Sequence, residues 1–265
     1  MNLSKRVLEK GKNSKDFLGL IEDSSKKRKS KIVLALDFPL REDTGKLAGD
    51  AKKIIRELGS YICAIKLNFH LIMPLSLAEV RSVNSTALDL GLPSIADIKL
   101  NDIENTNLVA TEYLWRAGFS AVIVNPFVGY RGGMDGVLKR ARELGKGVIT
   151  LAYMSHPAAD EGYGLELANH KTIHELFLKR AIEWKSAGII MGSTRPEKIR
   201  FAREKVGKKI KIFSPGSGAQ GGDALKALEA GCDYLIIGRK IIESKDPKAT
   251  ASALYDLLLP WIENH

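Results

Sequence analysis

From residue 31 onward the chain alternates short, β-branched apolar runs with longer stretches in which apolar positions recur every third or fourth residue. The first pattern suits strands buried on both faces and the second suits helices with one buried stripe. Eight runs read as strands: KIVLALD (31–37), YICAIKL (61–67), PSIADIK (93–99), SAVIVN (120–125), GVITLAY (147–153), GIIMG (188–192), IKIFSP (210–215) and DYLIIG (233–238). Helical periodicity predicts helices over 41–58, 102–117, 130–144, 171–186 and 195–206. Repeated βα units of this kind build parallel sheets, and eight of them predict one (β/α)8 TIM barrel over residues 31–265. A doubly wound open sheet is the alternative if two of the weaker runs are not strands. The longest irregular stretch, MSHPAADEGYGLELANH (154–170), is long enough to wall a site or cover one.

Several of these runs carry charge where a buried strand should not. Asp37 closes the first, Lys66 lies near the end of the second, and the third continues as ADIKLND, with Asp97, Lys99 and Asp102 inside six positions. Unpaired charges in a core are strongly disfavoured, so these groups must pair or do chemistry. Side chains alternate faces along a strand, which turns Ile95, Asp97 and Lys99 one way and Ala96, Ile98 and Leu100 the other. With the apolar set against the outer helices, Asp37, Lys66, Asp97 and Lys99 meet at the C-terminal mouth of the barrel, where such folds place their chemistry. Taken alone, Asp102 reads as the N-cap of the following helix, and Asp37 with Lys66 as a structural ion pair. Convergence of all five on one rim favours a site.

The other end of the chain offers an anion cradle. SPGSGAQGGD (214–223) leaves the seventh strand with four glycines, and IIGRK (236–240) follows the eighth with a Gly-Arg pair. Flexible backbone can wrap N–H groups around an anion, and the loops after strands 7 and 8 are the usual phosphate position in this barrel. Arg239 adds a planar, permanently charged fork.

Composition narrows the partners. The net charge is +10, yet residues 1–30 hold nine Lys/Arg against four acids, so half of the excess sits in one N-terminal segment. The run SSKKRKSK (24–31) reads as a solvated basic extension, and the remainder suits a small anionic substrate, so nucleic acid is not expected as a partner. No stretch of about 18 apolar residues suggests a membrane span, and MNLSKRVLEKGKNSKDF lacks the apolar core of a signal peptide, which points to a cytoplasmic protein. Cys63 and Cys232 fit neither a disulfide framework nor a zinc motif.

ADIKLNDIENTN matches an Asp-x-Lys-x-x-Asp-Ile-x-x-Thr-Asn signature, and MSHP (154–157), STRPE (193–197), SPGSGAQGGD and the terminal IIGR follow in order. Over roughly residues 31–259 the sequence resembles the orotidine 5'-monophosphate decarboxylases, in their short, monofunctional, archaeal-like form. The resemblance implies a cofactor-independent conversion of orotidine 5'-monophosphate to UMP and CO2. In it, Lys99 would protonate C6, Asp97 would sit beside the departing carboxylate, and Lys66 would complete the charged group. Asp102, helped by Thr106, would reach into a second subunit's site, making a homodimer. Asp37 and Lys66 would hold the ribose, Ser155 the pyrimidine amide edge, and Gln220 both base and phosphate. Pro215, Gly216, Gly238 and Arg239 would surround the phosphate, and Ile123 and Leu151 would form an apolar wall near the leaving carboxylate. No metal is implied. Asn125-Pro126 stands where His-Gly is often found, and Ser217 where an apolar residue is common. Two rivals remain at this stage: a Mg2+-dependent sugar-phosphate enzyme sharing the Asp-x-Lys-x-x-Asp core, and an inactive barrel that binds RNA through its basic extension.

Overall fold

The structure is a computed structural model that describes residues 15–216 and 221–265. Among the described residues, eight parallel strands close into a barrel in sequence order, with β8 (Tyr234–Ile237) pairing back onto β1 (Ile32–Ala35). Closure removes the open-sheet alternative. Between these lie β2 (Ala64–Asn68), β3 (Ser94–Leu100), β4 (Ala121–Val124), β5 (Gly147–Tyr153), β6 (Gly188–Met191) and β7 (Lys211–Pro215), so every predicted strand is present. The two faces separate as alternation requires. Val33, Ala35, Ile95, Ile123, Ile149 and Leu151 pack within the barrel, while Leu34, Leu67, Ala96, Val122 and Ala152 pack against the surrounding helices.

Two helices start more than a turn later than periodicity predicts. The helix expected from residue 41 runs from Leu47 to Leu58, because the Asp43 side chain accepts the Gly45 N–H at 2.8 Å and holds a turn ahead of it. The one expected from residue 130 begins at Asp135, since Arg131 is extended and Gly132 is left-handed at φ +68°. Asn125 accepts the Phe127 N–H at 3.0 Å, so the Asn-Pro sequence closes a tight turn after β4.

The N-terminal segment departs most from expectation. Phe17–Arg28 forms helix α1, and the solvated extension expected through residue 30 is corrected here for residues 17–30. Phe17 and Ile21, one turn apart, are buried among the inward-facing residues of the barrel. Phe17 stacks 6.3 Å from Phe213, which in turn lies 5.0 Å from Tyr234. The helix thus closes the floor of the barrel, opposite the mouth. Its serines dock rather than hydrate: Ser24 donates to the Cys63 carbonyl at 2.6 Å and Ser30 to that of Tyr61 at 2.6 Å. Arg28 donates to the Gly59 carbonyl at 2.7 Å. Residues 1–14, which hold the rest of the expected extension, lie outside the described residues.

Candidate active site

At the barrel mouth, three neighbouring strands bring their charged positions together. The Lys66 ammonium lies 2.7 Å from Asp97 Oδ2, and Lys99 lies 2.7 Å from Asp97 Oδ1. Lys66 also faces Asp37 Oδ1 at 3.7 Å. A carboxylate with an ammonium on each oxygen is the mutual satisfaction that buried charges need. Burial alone would push Asp97 up, but the attraction of Lys66 and then Lys99, with their hydrogen bonds, outweighs it and holds Asp97 below the ordinary carboxylate value.

Lys99 occupies this position through an irregular backbone. It has φ +46°, and the β3–β4 register shifts between Ala96 and Leu100. A non-glycine residue held there carries strain of order 1–3 kcal/mol, which the surrounding structure must offset. The turn folds the Lys99 side chain back onto Asp97, two residues earlier on the same face.

These groups edge a cavity of about 950 Å³. Its lining brings together Asp37, Lys66, Asp97, Lys99, Ile123, Leu151, Ser155, Pro215, Gly216, Gly238 and Arg239, each singled out from sequence. The floor is apolar, with Ile123 and Leu151 almost fully buried. Gly238 lies directly against the Asp37 end of the charged row, since a Cβ there would lie 2.7 Å from Asp37 Oδ2. Asp37 Oδ1 is buried without a hydrogen-bond donor among the described residues and has the Lys66 ammonium at 3.7 Å, while the side chain as a whole keeps 22% exposure at the cavity.

Two predicted site residues lie elsewhere. Asp102 and Thr106 are exposed around the start of helix α2 (Glu104–Arg116) and do not join the lining of the chain's own cavity. Nor is Asp102 the helix cap: Ile103 holds that position, while Asp102 Oδ1 accepts the Ile103 N–H at 2.7 Å. Asn107 steadies this turn, accepting the Asp102 N–H at 3.1 Å and donating to the Gly133 carbonyl at 3.0 Å. Gln220 and Ser217 lie outside the described residues. Asn68, Met154, His156, Ile190 and Lys240 also line the cavity and were not singled out. Asn68 was accessible to the alternation argument, being two residues beyond Lys66 on the same strand.

Residues 30–254 match the model of the orotidine 5'-phosphate decarboxylase / HUMPS family. The chain belongs to that family. It is 40% identical to the orotidine 5'-phosphate decarboxylase of Pyrococcus furiosus, over 87% of this chain and 98% of that relative. The crystal structure of the Pyrococcus horikoshii enzyme of the same name superimposes with a TM-score of 0.69 at 38% identity, covering 86% of this chain and 98% of that one. The Methanocaldococcus jannaschii orotidine 5'-monophosphate decarboxylase, solved in complex with the inhibitor BMP, gives a TM-score of 0.71 at 29% identity, covering 86% and 98%. No helix among the described residues is long and apolar enough to cross a membrane.

Proposed function

We propose that the protein decarboxylates orotidine 5'-monophosphate to UMP and CO2, without a cofactor, as a cytoplasmic homodimer. The observation that carries this reading is the linked row Asp37–Lys66–Asp97–Lys99 at the edge of an apolar-floored cavity, in a chain of this family. In the reaction, the bond between C6 and the carboxylate breaks, CO2 leaves, and the electron pair stays on C6. Lys99 delivers a proton to that carbon and later regains one from water. The developing negative charge has no ring position to spread into, so fixed groups must stabilise it where it forms, and an ammonium already in place needs no reorganisation. Asp97 holds Lys99 in position and sits where it disfavours a second carboxylate nearby.

The remaining roles follow the lining. Asp37 and Lys66, both at the cavity lining, take the ribose hydroxyls, while Ser155 reads the pyrimidine edge. Pro215, Gly216, Gly238 and Arg239 surround the phosphate, and Ile123 and Leu151 face the leaving group. Gln220 contributes to both base and phosphate. Asp102 and Thr106 act in the site of a second subunit. Support for that comes from their surroundings: Ile103, Val109, Tyr113, Phe127 and Tyr130 are 48–66% exposed, an apolar surface of the kind that partners cover.

The test is the absorbance change of orotidylate on adding purified protein with excess EDTA. Sustained turnover supports the proposal. Turnover of a sugar phosphate instead, lost on chelation, would support the Mg2+-dependent reading. Both oxygens of Asp97 are already engaged by ammonium groups, which favours the metal-free reaction.

A further inference from the structure

Ser155 reaches the cavity from a long connection, and a long connection by itself fixes a side chain poorly. Two glycines confine it from the sides. A Cβ on Gly192 would lie 2.7 Å from both the Met154 carbonyl oxygen and the Ser155 Cα, and one on Gly216 would lie 3.1 Å from Ser155 Cβ. Side walls do not stop the segment from lifting away. That restraint comes from Asp160, in a short helical turn (Ala159–Tyr163) five residues beyond the serine.

The Asp160 carboxylate ties three elements together. Oδ1 accepts the Tyr153 hydroxyl at 2.7 Å, at the end of β5, and faces the Lys198 ammonium at 3.2 Å, on helix α3 (Pro196–Val206). Oδ2 faces the Arg195 guanidinium at 2.9 Å, in the connection after β6. Lys198 in turn lies 4.6 Å over the Tyr153 ring, so the same ammonium joins the anchor from both sides. None of Asp160, Tyr153 or Lys198 lines the cavity, yet they bracket the segment that carries Ser155 and His156 into it.

We propose that Asp160 is a positioning residue that acts through Ser155, holding the 154–158 segment at the depth where its serine meets the base; the inference rests on the reading of the cavity given under Proposed function. A group that only positions Ser155 has nothing to contribute once the Ser155 hydroxyl is gone. Its effect must therefore vanish in that background, a non-additivity that a merely structural residue does not show.

The experiment is a double-mutant cycle on orotidylate turnover with the whole protein: Asp160→Asn, Ser155→Ala and the pair together. Asparagine preserves the shape and the Tyr153 contact while removing the charge that holds Arg195 and Lys198. Asp160→Asn is expected to lower kcat/KM by roughly tenfold, with KM carrying most of the change. In the Ser155→Ala background it should change kcat/KM by less than about twofold. Should Asp160→Asn fold poorly, as circular dichroism would show, Tyr153→Phe removes a different member of the anchor and must give the same pattern. Equal losses in both backgrounds, or wild-type kcat/KM in the Asp160→Asn protein, would overturn the positioning role while leaving the decarboxylase reading intact. Absence of orotidylate turnover by the wild-type protein would overturn both.

Discussion

Replacing Asp97 by asparagine keeps the shape of the mouth and removes its central charge. The Lys66 side chain is only 5% exposed and would lose its 2.7 Å partner, keeping Asp37 at 3.7 Å. Breaking a buried ion pair from one side costs about 3–5 kcal/mol, and the surviving Asp37 places this case near the lower end, about 3 kcal/mol at pH 7. For a chain of this size that lowers Tm by about 6–12 °C. The effect has a pH signature. Asp97 is depressed when folded, so its contribution is fully present above its unfolded value, about 3.9, and is lost as pH falls through the lower folded value. Thermal melts followed by circular dichroism from pH 6 to pH 3 should therefore show the two proteins well separated at first and converging below about pH 4. Equal Tm values at pH 6, or a gap that persists unchanged into acid, would refute the account of the network.

Further outcomes can be checked directly. Lys99→Ala should reduce orotidylate turnover by at least ~10²-fold while nucleotide binding, followed by calorimetry with UMP, survives in part. Lys99→Ala and Asp102→Ala proteins, each inactive alone, should regain activity when mixed with verified subunit exchange, since a hybrid dimer would contain one intact composite pocket; failure to complement refutes the shared site. Phe17→Ala should cost about 3–5 kcal/mol by denaturation, because its ring is fully enclosed against Phe213, yet leave KM for orotidylate unchanged, because the cavity lies at the opposite end of the barrel.

How much of this was legible in the sequence depended on which force shaped each segment. The strands were readable because burial on both faces forces unbroken β-branched runs; the alternation rule then put Asp97 and Lys99 on one side, and the barrel those runs predict brought Lys66 to the same rim. Helix starts were not, because they are set by single side chains such as the Asp43 turn and by the backbone freedom of Gly132. The left-handed backbone at Lys99 left no trace in residue type, since nothing in a lysine announces a positive φ. Composition misled at residues 24–31, where the basic residues dominate and the serines look soluble. Phe17 and Ile21, four apart, were the signal of a buried helical face that the charge obscured. Asp102 and Thr106 were found as a motif, but a motif does not say which way its members point, and both stand outside the lining of the cavity that holds Asp97 and Lys99.

Helix α1 also bears on where this molecule can be divided. Family similarity begins at residue 30, but the material that fills the barrel floor comes from residues 17 and 21. Gly147 has no room for even a methyl group there, as its Cβ would fall 2.3 Å from the Phe17 ring. A version trimmed to the shared boundary would keep the whole reaction chamber and lose its plug, baring Phe213 and Tyr234 to water. Removing residues 1–30 thus takes away part of the interior, although the shared boundary alone would mark that segment as dispensable.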